Sequence, residues 1–303
     1  MRPSPPAVRP LVLATLALLT LVGAPPTTLA ATVKPGTVFK DCEQGCPEMV
    51  VLPTGSFMMG TPDDEMGRQD DEGPIHKVTI ARPLAISRFQ ITFDEWDAFI
   101  AATGYRMPSG DDRPGRLCRA GTATRGGRPT YGGNYQVTGR HPAVCMNLEE
   151  VEDYVAWLSR KTGKNYRLTS ESVREYAARA GSSGAFPFPF DEGKDYSIAK
   201  HANTYGPVDG FSYTSPVGSY PANAFGVYDM HGNVYEWLAD CEHENYVGAP
   251  TDGSAWIEPN CTSYQIRGND YGEAPIFSRS GNRNNILPST RGDWVGFRVV
   301  RDL

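Results

Sequence analysis

From residue 182 to residue 303 the chain holds no helical period. Short apolar pieces alternate there with Gly, Asn and Pro, so the stretch must be ordered largely as loops. Ordering a residue costs about 1–2 kcal/mol of backbone entropy. Such loops need clamps, and disulfides and bound ions could supply them. The 32 glycines, 25 prolines and 15 tyrosines agree with a turn-dense fold that has few long helices.

Three helices are readable before that point. "TFDEWDAFIAATG" opens with a capping box, Thr92 and Glu95, stops at Gly104, and turns Trp96, Phe99 and Ile100 to one face. "NLEEVEDYVAWLSRKTG" has Asn147 as N-cap, Glu150 three residues on and Gly163 as stop, with Val151, Tyr154, Val155 and Leu158 as a buried stripe. "SESVREYAARAG" runs from Ser170 to Gly181 with Val173, Tyr176, Ala177 and Ala180 inward. "EMVVLPTGSFMMG" places a Pro-Thr-Gly turn between two apolar runs, which predicts a β-hairpin, and "HKVTIARPLAISRFQIT" returns to strand-like alternation. No composition break divides the chain. The expectation is one α+β domain over 46–303, a linker over 31–45 and a secretory signal over 1–30.

The signal rests on Arg2 and Arg9, the apolar "LVLATLALLTLVGA" and small residues near Ala30. An uncleaved anchor is the alternative. Without it the protein would be exported, to the periplasm or the medium, and free of the membrane. The net charge of −6 becomes more negative once two arginines are lost, which argues against nucleic-acid binding. In an oxidising compartment the six cysteines would form disulfides, and the sequential pairing Cys42–Cys46, Cys118–Cys145 and Cys241–Cys261 closes the shortest loops. "CEQGC" also fits a redox or metal motif, but no second pair lies near it to complete a zinc site.

"VYDMHGNVYEW", residues 227–237, sets Asp229, His231, Asn233 and Glu236 around Gly232 in an aromatic frame. By its residues alone it reads as a turn, with a metal site as the alternative. With "PEMVVLPTGSFMMGT", "HPAVCMNLEEVEDYVAWLSRKTGKNYRLTSESVREYAARAG", "NAFGVYDMHGNVYEWLADC" and "VGFRVVRDL" it resembles, in order, the formylglycine-generating enzyme family, also called the sulfatase-modifying factor domain. The resemblance implies a single loop-rich domain related to C-type lectin folds and braced by structural calcium at two sites. One would use Asp229 and Glu236 side chains with the Gly232 and Val234 carbonyls. The other would use Asn203, the Thr204 carbonyl, Asp209 and the Phe211 carbonyl; an Asx turn at Asp209 is its alternative. Calcium accepts roughly six to eight oxygens at variable geometry, which irregular backbone can provide.

Active members of that family oxidise a cysteine to formylglycine with copper(I) held by two cysteines. Here the matching segment is "RGNDYGEAPIFSRSGNRNN". Arg267, Gly268 and Tyr271 keep the frame, but the cysteine positions fall near Glu273 and Ser278. A copper-thiolate site is therefore not expected. Cys241 and Cys261 could in principle meet around copper, but they flank a loop outside the motif, and a disulfide is the better reading. None of the histidines 76, 141, 201, 231 and 243 shows zinc-hydrolase spacing, and His231 reads as a packing or hydrogen-bonding residue. Asp270, Glu273, Arg279, Ser280, Asn282 and Arg283 form a candidate substrate groove; a solvated loop is the alternative. Two functions follow. One is an oxidoreductase-type modifier of a peptide or small metabolite, with precedent in a periplasmic family branch that acts in pyoverdine chromophore maturation. The other is a non-catalytic binding or accessory module for a protein or glycan. A monomer is expected.

Overall fold

The computed structural model describes residues 33–105, 118, 135–191 and 195–303, besides 1, 3 and 4. The expected signal therefore lies outside the described residues, as does most of the Gly- and Arg-rich stretch after residue 105. The compact unit runs from Val33 to Leu303. Among the described residues no helix is long and apolar enough to cross a membrane.

The three predicted helices form where their caps place them. α1 spans Phe93–Thr103 and α2 Leu148–Thr162. Both capping boxes are closed, and Gly104 and Gly163 end them in the left-handed conformation. α3, Glu171–Arg179, starts at Ser170 and passes through a left-handed Ala180 before Gly181.

The strands are β1 (Val38–Phe39), β2 (Met49–Val51), β3 (Gly55–Met59), β4 (His76–Ile80), β5 (Leu84–Ser87) and β6 (Tyr166–Leu168). They continue with β7 (Tyr235–Cys241), β8 (Tyr264–Arg267), β9 (Asn284–Ile286), β10 (Val295–Phe297) and β11 (Val299–Asp302). One antiparallel sheet has the order β1-β2-β5-β11-β6, a second has β10-β7-β8-β9, and β3 pairs with β4. Alternate residues of the first sheet enter two different cores. Met49, Val51, Ala85 and Val299 join Trp96, Tyr154 and Phe297 on the α1–α2 side, and Val50, Leu84, Ile86 and Val300 join Val173 and Ala177 of α3. Both faces are covered, which explains why "MVV" is apolar throughout.

Two expectations need correction. The hairpin over 48–60 does not form, because β2 has β1 on one edge and β5 on the other. No edge is left for β3, which pairs with β4 from Met59 opposite His76 to Gly55 opposite Ile80. The 31–45 segment is more than a linker: β1 lies within it, and Cys42–Cys46 ties it to the first core. All six cysteines are paired, also as Cys118–Cys145 and Cys241–Cys261, with none free.

Candidate functional site

α3 does more than fill a core. All nine of its residues are buried, including Glu171, Arg174, Glu175 and Arg179 on the face expected to be wet. These charges meet arginines from the last third of the chain. Arg267, at the end of β8, pairs with Glu171 at 2.9 Å and Glu175 at 3.0 Å. Arg283 pairs with Glu171 at 2.7 Å, and Arg279 with Glu72 at 2.7 Å and Glu65 at 2.9 Å. Burial works against ionising Glu171, but Arg267 and Arg283 outweigh it and hold the carboxyl below the usual range. Three buried guanidinium groups thus strap down the segment 267–283.

That strapping divides the expected groove. Arg279, Ser280, Asn282 and Arg283 are all buried, and none lines the open pocket described below. The guanidinium groups of Arg279 and Arg283 are already taken by carboxylates. Asp270 and Glu273 do line an open pocket of about 330 Å³, together with Tyr235, Tyr271, Gly272, Asn284 and Trp294. The second sheet builds it. β8 runs antiparallel to β7 and β9, and β10 parallel to β7, so one end of the sheet gathers the start of β7, the exit of β8, the start of β9 and the approach to β10.

The pocket has aromatic walls and an acidic floor. The Tyr235 and Trp294 rings stand nearly perpendicular, 6.0 Å between centroids. The Tyr271 hydroxyl donates to Asp293 at 2.6 Å. Asp270 is 7% exposed. Burial pushes its carboxyl up to about 7, a backbone N–H from Gly272 at 2.6 Å opposes the rise, and the Glu273 and Asp293 charges add to it. Burial also raises the Tyr235 phenol. A carboxyl that titrates near neutrality can take and return a proton at working pH. Glu273 is exposed, while Ser278 is buried and its hydroxyl accepts from the Asn269 amide at 2.7 Å.

The expected calcium loops lie against this segment. The Asn233 N–H donates to the Asn203 carbonyl at 2.8 Å, the Tyr205 N–H to Glu273 and the Tyr271 N–H to Asn233. Gly232 is required here: with φ at +134°, a Cβ would come within 2.3 Å of the Asn203 carbonyl oxygen. The carbonyls of Asp229, Gly232 and Val234 and one Glu236 oxygen converge within 3.1–3.5 Å of the Gln90 amide nitrogen. Glu236 also pairs with Arg298 at 2.8 Å and Arg174 at 3.2 Å; burial would raise it, but these two hold it low. Asp209 accepts from the Thr204 and Phe211 N–H groups, the Asx geometry considered above. Two expected ligand atoms, Asn203 Oδ1 and Asp229 Oδ1, are buried without a partner. An unpaired buried oxygen is costly, so in this respect both loops fit a cation. His231 is a packing residue: its Nδ1 donates to the Ser278 carbonyl at 2.8 Å, and its ring lies against Phe186 and Phe188.

The sequence reading missed Tyr235, Asn284 and Trp294 as pocket walls and Gln90 as the hub of the 229–236 loop. Tyr235 stood inside the quoted motif; Gln90 carried no signal.

A mixed, loop-rich domain with disulfide clamps and an acid-floored aromatic pocket defines the class. Residues 34–303 match the Sulfatase-modifying factor enzyme 1-like domain, and the chain belongs to that family. It is 31% identical over 307 residues to the formylglycine-generating enzyme of Mycobacterium tuberculosis, covering 84% of this chain and 98% of that one. It is 28% identical over 258 residues to the serine/threonine-protein kinase Pkn1 of Chlamydia trachomatis, and spans only 38% of that protein. Among solved structures, PvdO from Pseudomonas aeruginosa is 67% identical, with a TM-score of 0.82 over 89% of this chain and 100% of that one.

Proposed function

We propose that this is an exported, calcium-braced member of the formylglycine-generating enzyme family that modifies a peptide or small metabolite in the Asp270–Glu273 pocket, by oxidoreductase-type chemistry without a copper-thiolate centre. One observation carries the reading. The pocket is lined by Asp270–Glu273, in the segment that by resemblance corresponds to the family's cysteine-bearing one, while all six cysteines here are tied in disulfides. The 67% identity to PvdO and the family precedent of a periplasmic branch in pyoverdine chromophore maturation support modification of a small exported molecule. Asp270 would move the proton, Tyr235, Tyr271 and Trp294 would hold the substrate, and the arginine straps would keep the segment fixed. Calcium would be held by the oxygens of the 203–211 and 229–236 loops and would supply rigidity. Disulfides persist in oxidising compartments, which supports export.

The test compares small molecules and peptides released by cells carrying the wild type, a deletion, and a chromosomal Asp270→Asn/Glu273→Ala variant. The expected result is that deletion and variant accumulate the same unmodified species, differing from the product in its hydrogen count. A variant indistinguishable from wild type, beside a deletion that changes the profile, would remove the pocket from the account. A silent deletion would remove the modification itself.

A further inference from the structure

We propose that the pocket recognises a planar organic cation on the substrate: a guanidinium, an amidinium or a protonated aromatic amine. The inference rests on the pocket being the substrate site and names the chemistry it selects. Two acids line the pocket, Asp270 and Glu273, and Asp293 stands behind Tyr271. Among the described residues no Lys, Arg or His lines it. The nearby arginines 267, 279 and 283 are turned inward to Glu171, Glu175 and Glu72.

Asp270 supplies the independent observation. The residue is 7% exposed, and its carboxylate accepts from the Gly272 backbone N–H at 2.6 Å. No cation of the described residues pairs with it. The strap glutamates Glu171, Glu175 and Glu72 are paired with arginines, whereas Asp270, like the buried Asp229 and Asp240, is held by backbone N–H groups; of these three acids Asp270 is the one that lines the open pocket. A cation entering the pocket would complete it. The walls then select shape. Tyr235 and Trp294, packed edge-to-face at 85°, both line the pocket, and an aromatic face attracts a cation laid over it. A volume of about 330 Å³ suits one side-chain-sized group. The rest of the substrate would lie outside, past Glu273 and the exposed Tyr205 bonded to its carbonyl.

The experiment uses the purified full chain with calcium present and reads binding of benzamidinium, neutral benzamide and anionic benzoate by calorimetry. Benzamidinium should bind about tenfold or more tightly than benzamide, with benzoate weakest. Asp270→Asn should abolish that preference. Glu273→Gln, at an exposed rim position where folding is not at stake, should weaken it several-fold. Equal binding of benzamidinium and benzamide, tighter binding of benzoate, no benzamidinium binding, or a preference that survives both substitutions would each overturn the inference. Binding is read without turnover, so failure here leaves the cellular modification test standing, and failure there leaves the binding preference standing.

Discussion

Glu171→Ala is the perturbation with the best-defined magnitude. The carboxylate, 4% exposed at its side chain, bridges Arg267 and Arg283, both 0% exposed. Without it, Arg267 keeps Glu175 at 3.0 Å. Arg283 keeps the carbonyls of Asp71 and His243, the Tyr246 ring at 4.5 Å, and the Asp71 carboxylate at 3.8 Å. Arg283 is left with a single carboxylate at 3.8 Å, so the loss falls toward the lower end of the about 3–5 kcal/mol that breaking a buried pair costs. In a domain of this size that corresponds to a fall in Tm of roughly 10 °C. Equilibrium urea unfolding followed by circular dichroism, under non-reducing conditions, measures it. Glu149→Ala, on the exposed face of α2, is the control and should stay within about 0.5 kcal/mol of wild type. Adding Arg283→Met to Glu171→Ala should recover about 1 kcal/mol or more, because it removes the stranded charge. A Glu171→Ala loss below about 1 kcal/mol, or no recovery in the double variant, would refute the strap.

Three other outcomes are expected. Excess chelator should lower the melting temperature by several degrees, and calcium should restore it; an unchanged curve would exclude ions from both loops. Replacing Cys118 and Cys145 together by alanine should cost about 2–4 kcal/mol, read by non-reducing urea unfolding, as the bridge spans 27 residues. For Asp270, whose carboxyl burial raises from 3.8 to about 7, the stabilising protonated state is complete below the unfolded value and is lost as pH rises through about 7. Asp270→Asn should therefore gain stability on wild type as pH rises from about 4 to about 7 and hold that gain above it, and a constant difference would show that the carboxyl is not withdrawn from water.

What was legible in the sequence was local. Thr92 with Glu95 and Asn147 with Glu150 close their boxes within one turn, so the helix starts needed no knowledge of the fold. The family motifs carried the architecture. The hairpin failed because β2's partner, β5, lies far along the chain. The groove arginines misled for the same reason: Arg283 meets Glu171 from 112 residues away and Arg279 meets Glu72 from 207, and an unpaired and a paired arginine look alike in a sequence. The pocket's aromatic walls come from separate strand ends, so they become neighbours only once the sheet order is known.

The central claim is that this family member works without copper held by thiolates. The measurement that tests it most directly is copper(I) titration of the protein purified under oxidising conditions, with free thiols and calcium counted on the same sample. The account predicts no free thiol, calcium retained and no tight stoichiometric copper. Tight binding of one copper per chain would contradict it and return the cysteines to the centre of the chemistry.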